Sequence, residues 1–192
     1  MKIIIDNREG TLIKLVDNII SNSDNSNVSY SVEQLNVGDI QIVSDDGVTQ
    51  LIFERKLISD LASSISDGRY NEQSFRLDKT ELHNHNIFYL IEGDLKNFRP
   101  YKRSRITQGA LYSSIFTLSY FKGFSVYKTD NCQESAELLI KIADKLHREI
   151  KSGKRQSYYN STSETTSISS NDYVDVIKTQ KKNFITKDNI SQ

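Results

Sequence analysis

The residues best placed to do chemistry lie between Gly38 and Asp60: a Gly38-Asp39 step, then Glu54-Arg55-Lys56 fifteen residues further on, then Asp60. At average usage of roughly 6% for each charged type, a chance Glu-Arg-Lys-x-x-x-Asp arises in about one chain of this length in a few hundred. Such a group suits phosphodiester hydrolysis. Hard carboxylate oxygens hold magnesium, which polarises a phosphate and lowers the pKa of an attacking water. A lysine beside the metal orients that water and offsets phosphate charge. On this reading Asp39 and Glu54 are the principal ligands of magnesium, with manganese as a substitute. Lys56 positions the nucleophile, Arg55 belongs to the same catalytic group, and Asp60 completes the outer shell or steers Lys56 or Arg55. A second cluster, Asp6-Asn7-Arg8-Glu9, offers Asp6 or Glu9 as a further metal ligand and Arg8 as a contact to the scissile phosphate. The competing reading of Asp6 and Glu9 is a charge pattern favourable at the N-terminus of an incoming helix.

The elements around these residues place them together. Lys2 to Ile5 reads as a buried strand, followed by helical spacing of Leu12, Leu15, Val16, Ile19 and Ile20. A strand from Val28 to Leu35 leads to the Gly38-Asp39 turn. The segments Ile40 to Ser44 and Thr49 to Glu54 then form a hairpin about Asp46-Gly47. Asp39 begins one of these strands and Glu54 ends the other, so their carboxylates meet near one end of the sheet, with Lys56 just past the strand. Helices are expected from Leu57 to Ile65, Tyr70 to Thr80 and Thr107 to Tyr120, with strands at Ile87 to Ile91 and Phe124 to Tyr127. A last helix runs to Ile150 behind a capping box at Asn131 and Glu134. The predicted fold class is α/β, a mixed central sheet flanked by helices.

Lys plus Arg and Asp plus Glu balance at 25 each, so bulk charge signals no nucleic-acid partner and any basic surface must be local. One local stretch holds Lys96, Arg99, Lys102, Arg103 and Arg105, with Phe98 and Tyr101 between them. It reads either as a track for a DNA backbone or as a solvated loop. The single cysteine, Cys132, excludes an internal disulfide and argues against structural zinc. His83-Asn84-His85 reads as a surface turn. Phe116, Tyr120 and Phe121 read as core or as a dimer face. No apolar run approaches the ~20 residues of a membrane span, so the expectation is a soluble intracellular protein with no membrane partner. The predicted organisation is a globular domain over 1–154, an unfolded Ser/Thr-rich linker over 155–170, and a polar segment over 171–192 that is a tail or the start of a further domain.

Gly-Asp, a variable spacer and Glu-Arg-Lys-x-x-x-Asp together resemble the signature of the XPF/Mus-type structure-specific endonucleases. IIIDNRE (Ile3 to Glu9) is similar to that family's opening strand, and SISDGRYNEQSFRL (Ser64 to Leu77) to its helix pair. YLIEG (Tyr89 to Gly93) and GFSVYKTDNCQESAELL (Gly123 to Leu139) resemble the Mus branch. The resemblance implies a restriction-endonuclease-like nuclease fold and magnesium-dependent cleavage of flap, fork or branched DNA in repair or recombination. It also implies that Arg69 and Gln73 line the cleavage site, and that the chain works as a dimer with itself or with a related non-catalytic subunit. Its location would be the nucleus or wherever such DNA is processed. Family members carry tandem helix-hairpin-helix motifs towards the C-terminus, for which 171–192 is too short. The alternatives are a non-catalytic DNA-binding or dimerisation subunit, against which the intact Asp39, Glu54, Lys56 and Asp60 argue, and a nuclease of this fold without junction preference.

Overall fold

A computed structural model of the chain describes residues 1–23, 27–99 and 106–154. Lys102, Arg103 and Arg105, and the segments 155–170 and 171–192, lie outside the described residues.

The β-branched run at the start of the chain forms β1 (Lys2–Asp6), with Ile3 and Ile5 fully buried. The helix α1 (Gly10–Ser21) returns the chain so that β2 (Ser29–Glu33) pairs parallel with β1. On the other side of β1, β3 (Ile40–Val43) pairs antiparallel, and its hairpin partner β4 (Thr49–Leu57) continues the antiparallel run. The helices α2 (Ile58–Ser66) and α3 (Arg69–Asp78) follow. Then β5 (Ile87–Glu92) joins β4 in parallel, and β6 (Ser125–Thr129) joins β5 in parallel. A short 3-10 turn, Asn84–Asn86, at the predicted histidine surface turn, leads into β5, and α4 (Gln108–Phe116) lies between β5 and β6. The chain then enters α5 (Cys132–Lys151). The six-stranded mixed sheet has the order β2-β1-β3-β4-β5-β6. Among the described residues no helix is long and apolar enough to cross a membrane.

Two apolar clusters sandwich the sheet. On one face Leu12 and Val16 of α1 and Ala136, Leu139 and Ala143 of α5 cover Ile3, Ile5, Ile40, Ile42, Phe53 and Leu90. On the other, Leu61 and Ala62 of α2, Tyr70 and Leu77 of α3 and Leu111 of α4 cover Ile52, Ile87, Tyr89 and Ile91. Burying a side chain such as Leu61 or Phe53 contributes about 1.5–3 kcal/mol, so both layers are held by transfer of apolar surface from water. The second cluster takes its sheet residues from β4, β5 and β6, while Ile4 of β1 and Gln41 of β3 stay partly exposed on that side. The flank of β1 and β3 beside α3 is therefore open.

Three details depart from the sequence reading. First, β4 runs three residues beyond Glu54, because Arg55, Lys56 and Leu57 find parallel partners in Leu90, Ile91 and Glu92. Lys56 thus lies within the strand, two residues from Glu54 and on the same face. Second, the long helix expected to reach Tyr120 ends at Phe116 and widens into a π-helical turn, Thr117–Phe121, closed by the Lys122 amide donating to the Thr117 carbonyl at 3.1 Å. Third, at α5 the Asn131 side chain accepts from the Glu134 amide at 3.0 Å, as a capping box requires, but Glu134 reaches back to the Asp130 amide instead of that of Asn131.

Gly38 holds the turn into β3 at a φ of +73°, and a Cβ there would lie 2.5 Å from Ile52 Cγ2 and 3.1 Å from the Phe53 carbonyl oxygen. The left-handed backbone alone costs an L side chain about 1–2 kcal/mol, before that clash. We therefore expect Gly38→Ala to lower the melting temperature by several degrees. An unchanged melting curve would show that the turn relaxes freely.

Candidate active site

Asp39 enters the sheet as the residue before β3. Its amide donates to the Phe53 carbonyl at 2.8 Å, and its Oδ2 accepts from the Arg55 amide at 2.8 Å. The neighbouring pair Ile40 and Phe53 is in register, so Asp39 sits opposite Glu54. The two carboxylates share a cleft of about 450 Å³ walled by the 34–38 loop on one side and by Gln73, Arg76 and Leu77 of α3 on the other, with Arg8 at its edge. Glu54 is 9% exposed and Lys56 8%. Lys56 Nζ donates to Gln73 Oε1 at 2.6 Å and lies 3.6 Å from Glu54 Oε1. Arg76 Nη2 donates to the Asn36 carbonyl at 2.9 Å, tying α3 to the loop across the cleft.

Burial, and then the negative charge of Glu54, push the Asp39 pKa from its ordinary 3.8 up to about 7. Burial likewise raises Glu54, against the pull of the Lys56 ammonium. Two half-desolvated carboxylates that resist ionising together form a ready site for a divalent cation. Magnesium takes one or two carboxylates and completes its octahedron with waters and phosphate oxygens, so the pair Asp39 and Glu54 fits it. Among the described residues no three His, Cys, Asp or Glu side chains form a metal-holding group.

A sequence model of the ERCC4 domain matches residues 5–142. The chain belongs to the ERCC4-domain family. The probable crossover junction endonuclease mus81 of Dictyostelium discoideum is 31% identical over 160 residues, covering 75% of this chain and 17% of that protein. The chain thus spans about a sixth of that relative's length. XPF from Aeropyrum pernix superposes with a TM-score of 0.60 at 25% identity, covering 79% of this chain and 68% of that one. The same protein in complex with DNA gives a TM-score of 0.56, with coverage of 81% and 68%. The mixed sheet flanked by helices is therefore the restriction-endonuclease-like fold of the XPF nucleases.

Within this ERCC4 domain the predicted site residues divide. Asp39, Glu54, Lys56 and Gln73 come together in the cleft, and Arg8 borders it with its side chain 71% exposed. Arg55 does not point there. As the odd residue between Glu54 and Lys56 it faces the α1 and α5 side, where Nε and Nη2 each donate to Glu92 at 2.6 Å and Nη1 donates to Glu9 at 2.7 Å. One Glu9 carboxylate oxygen is thereby engaged by Arg55, while the charge of Glu9 still reaches Asp39 and helps to raise its pKa. Asp6 is fully buried with its oxygens engaged: Oδ1 by the Arg8 amide and Nε, Oδ2 by the Leu35 amide. The Arg8 side chain foremost holds the Asp6 pKa down at about 2. Asp6 organises Arg8 and the cleft loop. Asp60 is exposed in the first turn of α2 beside Ser59, and the partners of Arg55 and Lys56 are other residues. Arg69 pairs with Asp67 at 2.6 Å outside the cleft lining.

Arg76, Glu92 and Tyr89 were missed. Arg76 stands three residues after Gln73, on the same helical face, which was a usable signal. Glu92 closing an apolar strand was another, since a buried carboxylate requires a cation.

The Asp39 shift fixes a pH dependence for the metal-free protein. The folded state holds a proton that the unfolded chain releases near pH 4, so this group erodes stability as pH rises from about 4 to 7. Asp39→Asn removes that loss. In EDTA we expect it to melt several degrees above wild type at pH 8, with the gap closing towards pH 4. Equal melting curves at both pH values would show that Asp39 is not under charge strain.

Proposed function

We propose that this ERCC4 domain is a magnesium-dependent endonuclease hydrolysing a phosphodiester bond in flap, fork or branched DNA. The observation that carries the reading is the Asp39 and Glu54 pair with Lys56 on one face of adjacent strands, in a cleft bordered by Arg8 and Arg76. Relatives named as crossover junction endonucleases support it, as does a structural neighbour solved in complex with DNA. Bound magnesium would supply a polarised phosphate and a water of lowered pKa. The chain's own residues do the rest. Asp39, fixed by the Arg55 amide, and Glu54, balanced by Lys56, set where the cation sits. Lys56 turns from Gln73 to hold the attacking water and offset phosphate charge. Arg8 and Arg76 offer planar forks that match phosphate oxygens on either side.

The reading extends to assembly. Tyr112, Phe116, Tyr120 and Phe121 expose 51%, 54%, 71% and 73% of their surface. Phe116 stacks on Tyr120 with centroids 5.2 Å apart, and Phe121 meets both edge-on. A contiguous aromatic surface of this kind marks a protein interface, and we assign it to a second copy or a related subunit. Light scattering of the full chain at micromolar concentration should give a dimer, and Phe121→Asp a monomer. A monodisperse wild-type monomer would count against self-association.

The activity is tested by cleavage of a labelled 3′-flap duplex with magnesium, wild type beside Asp39→Ala, with matched linear duplex as control. We expect magnesium-dependent flap cutting that Asp39→Ala abolishes while remaining folded. Equal cutting by both proteins would remove Asp39 from the site. No cutting by folded wild type, alone or with a candidate partner, would favour the non-catalytic subunit.

A further inference from the structure

Tyr89 carries a reactive group that the site described above leaves unused. It stands on β5 in register with Glu54 on β4, on the same face as Glu54 and Lys56. Its ring packs on Phe124 with centroids 5.6 Å apart, and the residue is 1% exposed. Its hydroxyl is buried and has no hydrogen-bond partner among the described residues. A buried hydroxyl left unpaired costs about 1–3 kcal/mol, so a core needing only a ring here would do better with phenylalanine. The same strand uses Phe88 on its other face, stacked on Phe53 at 5.0 Å. The nearby Tyr70, by contrast, donates to the Ser114 carbonyl at 2.9 Å. The groups whose charge reaches the Tyr89 hydroxyl are Glu54, Tyr70 and Asp39, and with burial foremost they raise its pKa, leaving it a proton donor. Two of those three are the proposed metal ligands.

We infer that Tyr89 is a positioning residue for the metal-holding carboxylate: its hydroxyl would donate to Glu54 when Glu54 holds a divalent cation. In the structure Glu54 leans on Lys56, and the Tyr89 hydroxyl has no engagement among the described residues. A carboxylate holding a cation would keep one orientation if a donor engaged it, and among the described residues Tyr89 is the buried side-chain donor without another partner. Outer donors of this kind tune metal affinity without touching the metal. The inference rests on the endonuclease reading of Asp39 and Glu54.

The test is manganese binding to the full chain by titration calorimetry at pH 8, with melting curves in EDTA, for wild type, Tyr89→Phe and Asp39→Asn. For Tyr89→Phe we expect a metal-free melting temperature equal to or above wild type, because an unpaired hydroxyl is removed, together with about tenfold weaker manganese binding. The manganese giving half-maximal flap cutting should rise to match, with KM for DNA unchanged. Manganese affinity within about twofold of wild type overturns the inference. So does a lower metal-free melting temperature, which would mean that the hydroxyl already has a structural partner. Asp39→Asn separates this from the parent reading. If it binds manganese as wild type does, or wild type binds none, the metal site fails and the role of Tyr89 with it. If Asp39→Asn loses binding while Tyr89→Phe keeps it, only the role of Tyr89 fails.

Discussion

Two carboxylates brought together out of water repel, and the structure around Asp39 and Glu54 exists to hold them against that repulsion. Neither sits on a loose loop. Asp39 is pinned at three points: by the Gly38 turn behind it, by its own amide on Phe53, and by the Arg55 amide on its carboxylate. Glu54 lies inside a nine-residue strand paired on both sides. Lys56 supplies positive charge from two residues away, and Gln73 keeps that lysine from folding wholly onto Glu54. The raised Asp39 pKa records what these supports leave uncompensated, first the burial of the carboxylate and then the negative charge of Glu54.

The reverse face of the same strand solves the opposite problem. There Arg55 gathers Glu92, whose side chain is 1% exposed, and Glu9, which precedes α1. Removing one partner from a buried ion pair costs about 3–5 kcal/mol, more than the burial of a single apolar side chain in the core contributes. Arg55 thus links β4, β5 and the entry to α1 behind the cleft. One residue therefore serves the site twice, through its amide on Asp39 and through its guanidinium on the scaffold.

Much of this was legible in the sequence, for physical reasons that differ by element. Helices such as α1 and α5 announce themselves because Leu12 and Val16, or Ala136, Leu139 and Ala143, recur at 3.6-residue spacing. The β3–β4 hairpin shows in its Asp-Gly turn, and the pairing of Asp39 with Glu54 follows from it. The face of Arg55 was not legible, because it depends on whether β4 ends at Glu54 or runs on, and β5, thirty residues later, decides that by pairing with Leu57. Composition likewise gave no warning that Glu9 would be claimed by Arg55, or that Asp6 would brace Arg8 and the loop, since a carboxylate beside an arginine reads alike in both roles. The idle hydroxyl of Tyr89 is invisible to pattern altogether, because only the packing shows which polar atoms lack partners.

The alternation along β4 bears on how such a domain can change over time. Because Glu54 and Lys56 face one side and Arg55 the other, inserting or deleting one residue in the strand would exchange their faces and turn the guanidinium towards the substrate. Point substitutions there can be tried one at a time, whereas a length change would rewrite cleft and scaffold together. A change of length in the exposed Asp45–Val48 hairpin tip, by contrast, would leave the parity of the strand that does the work unaltered.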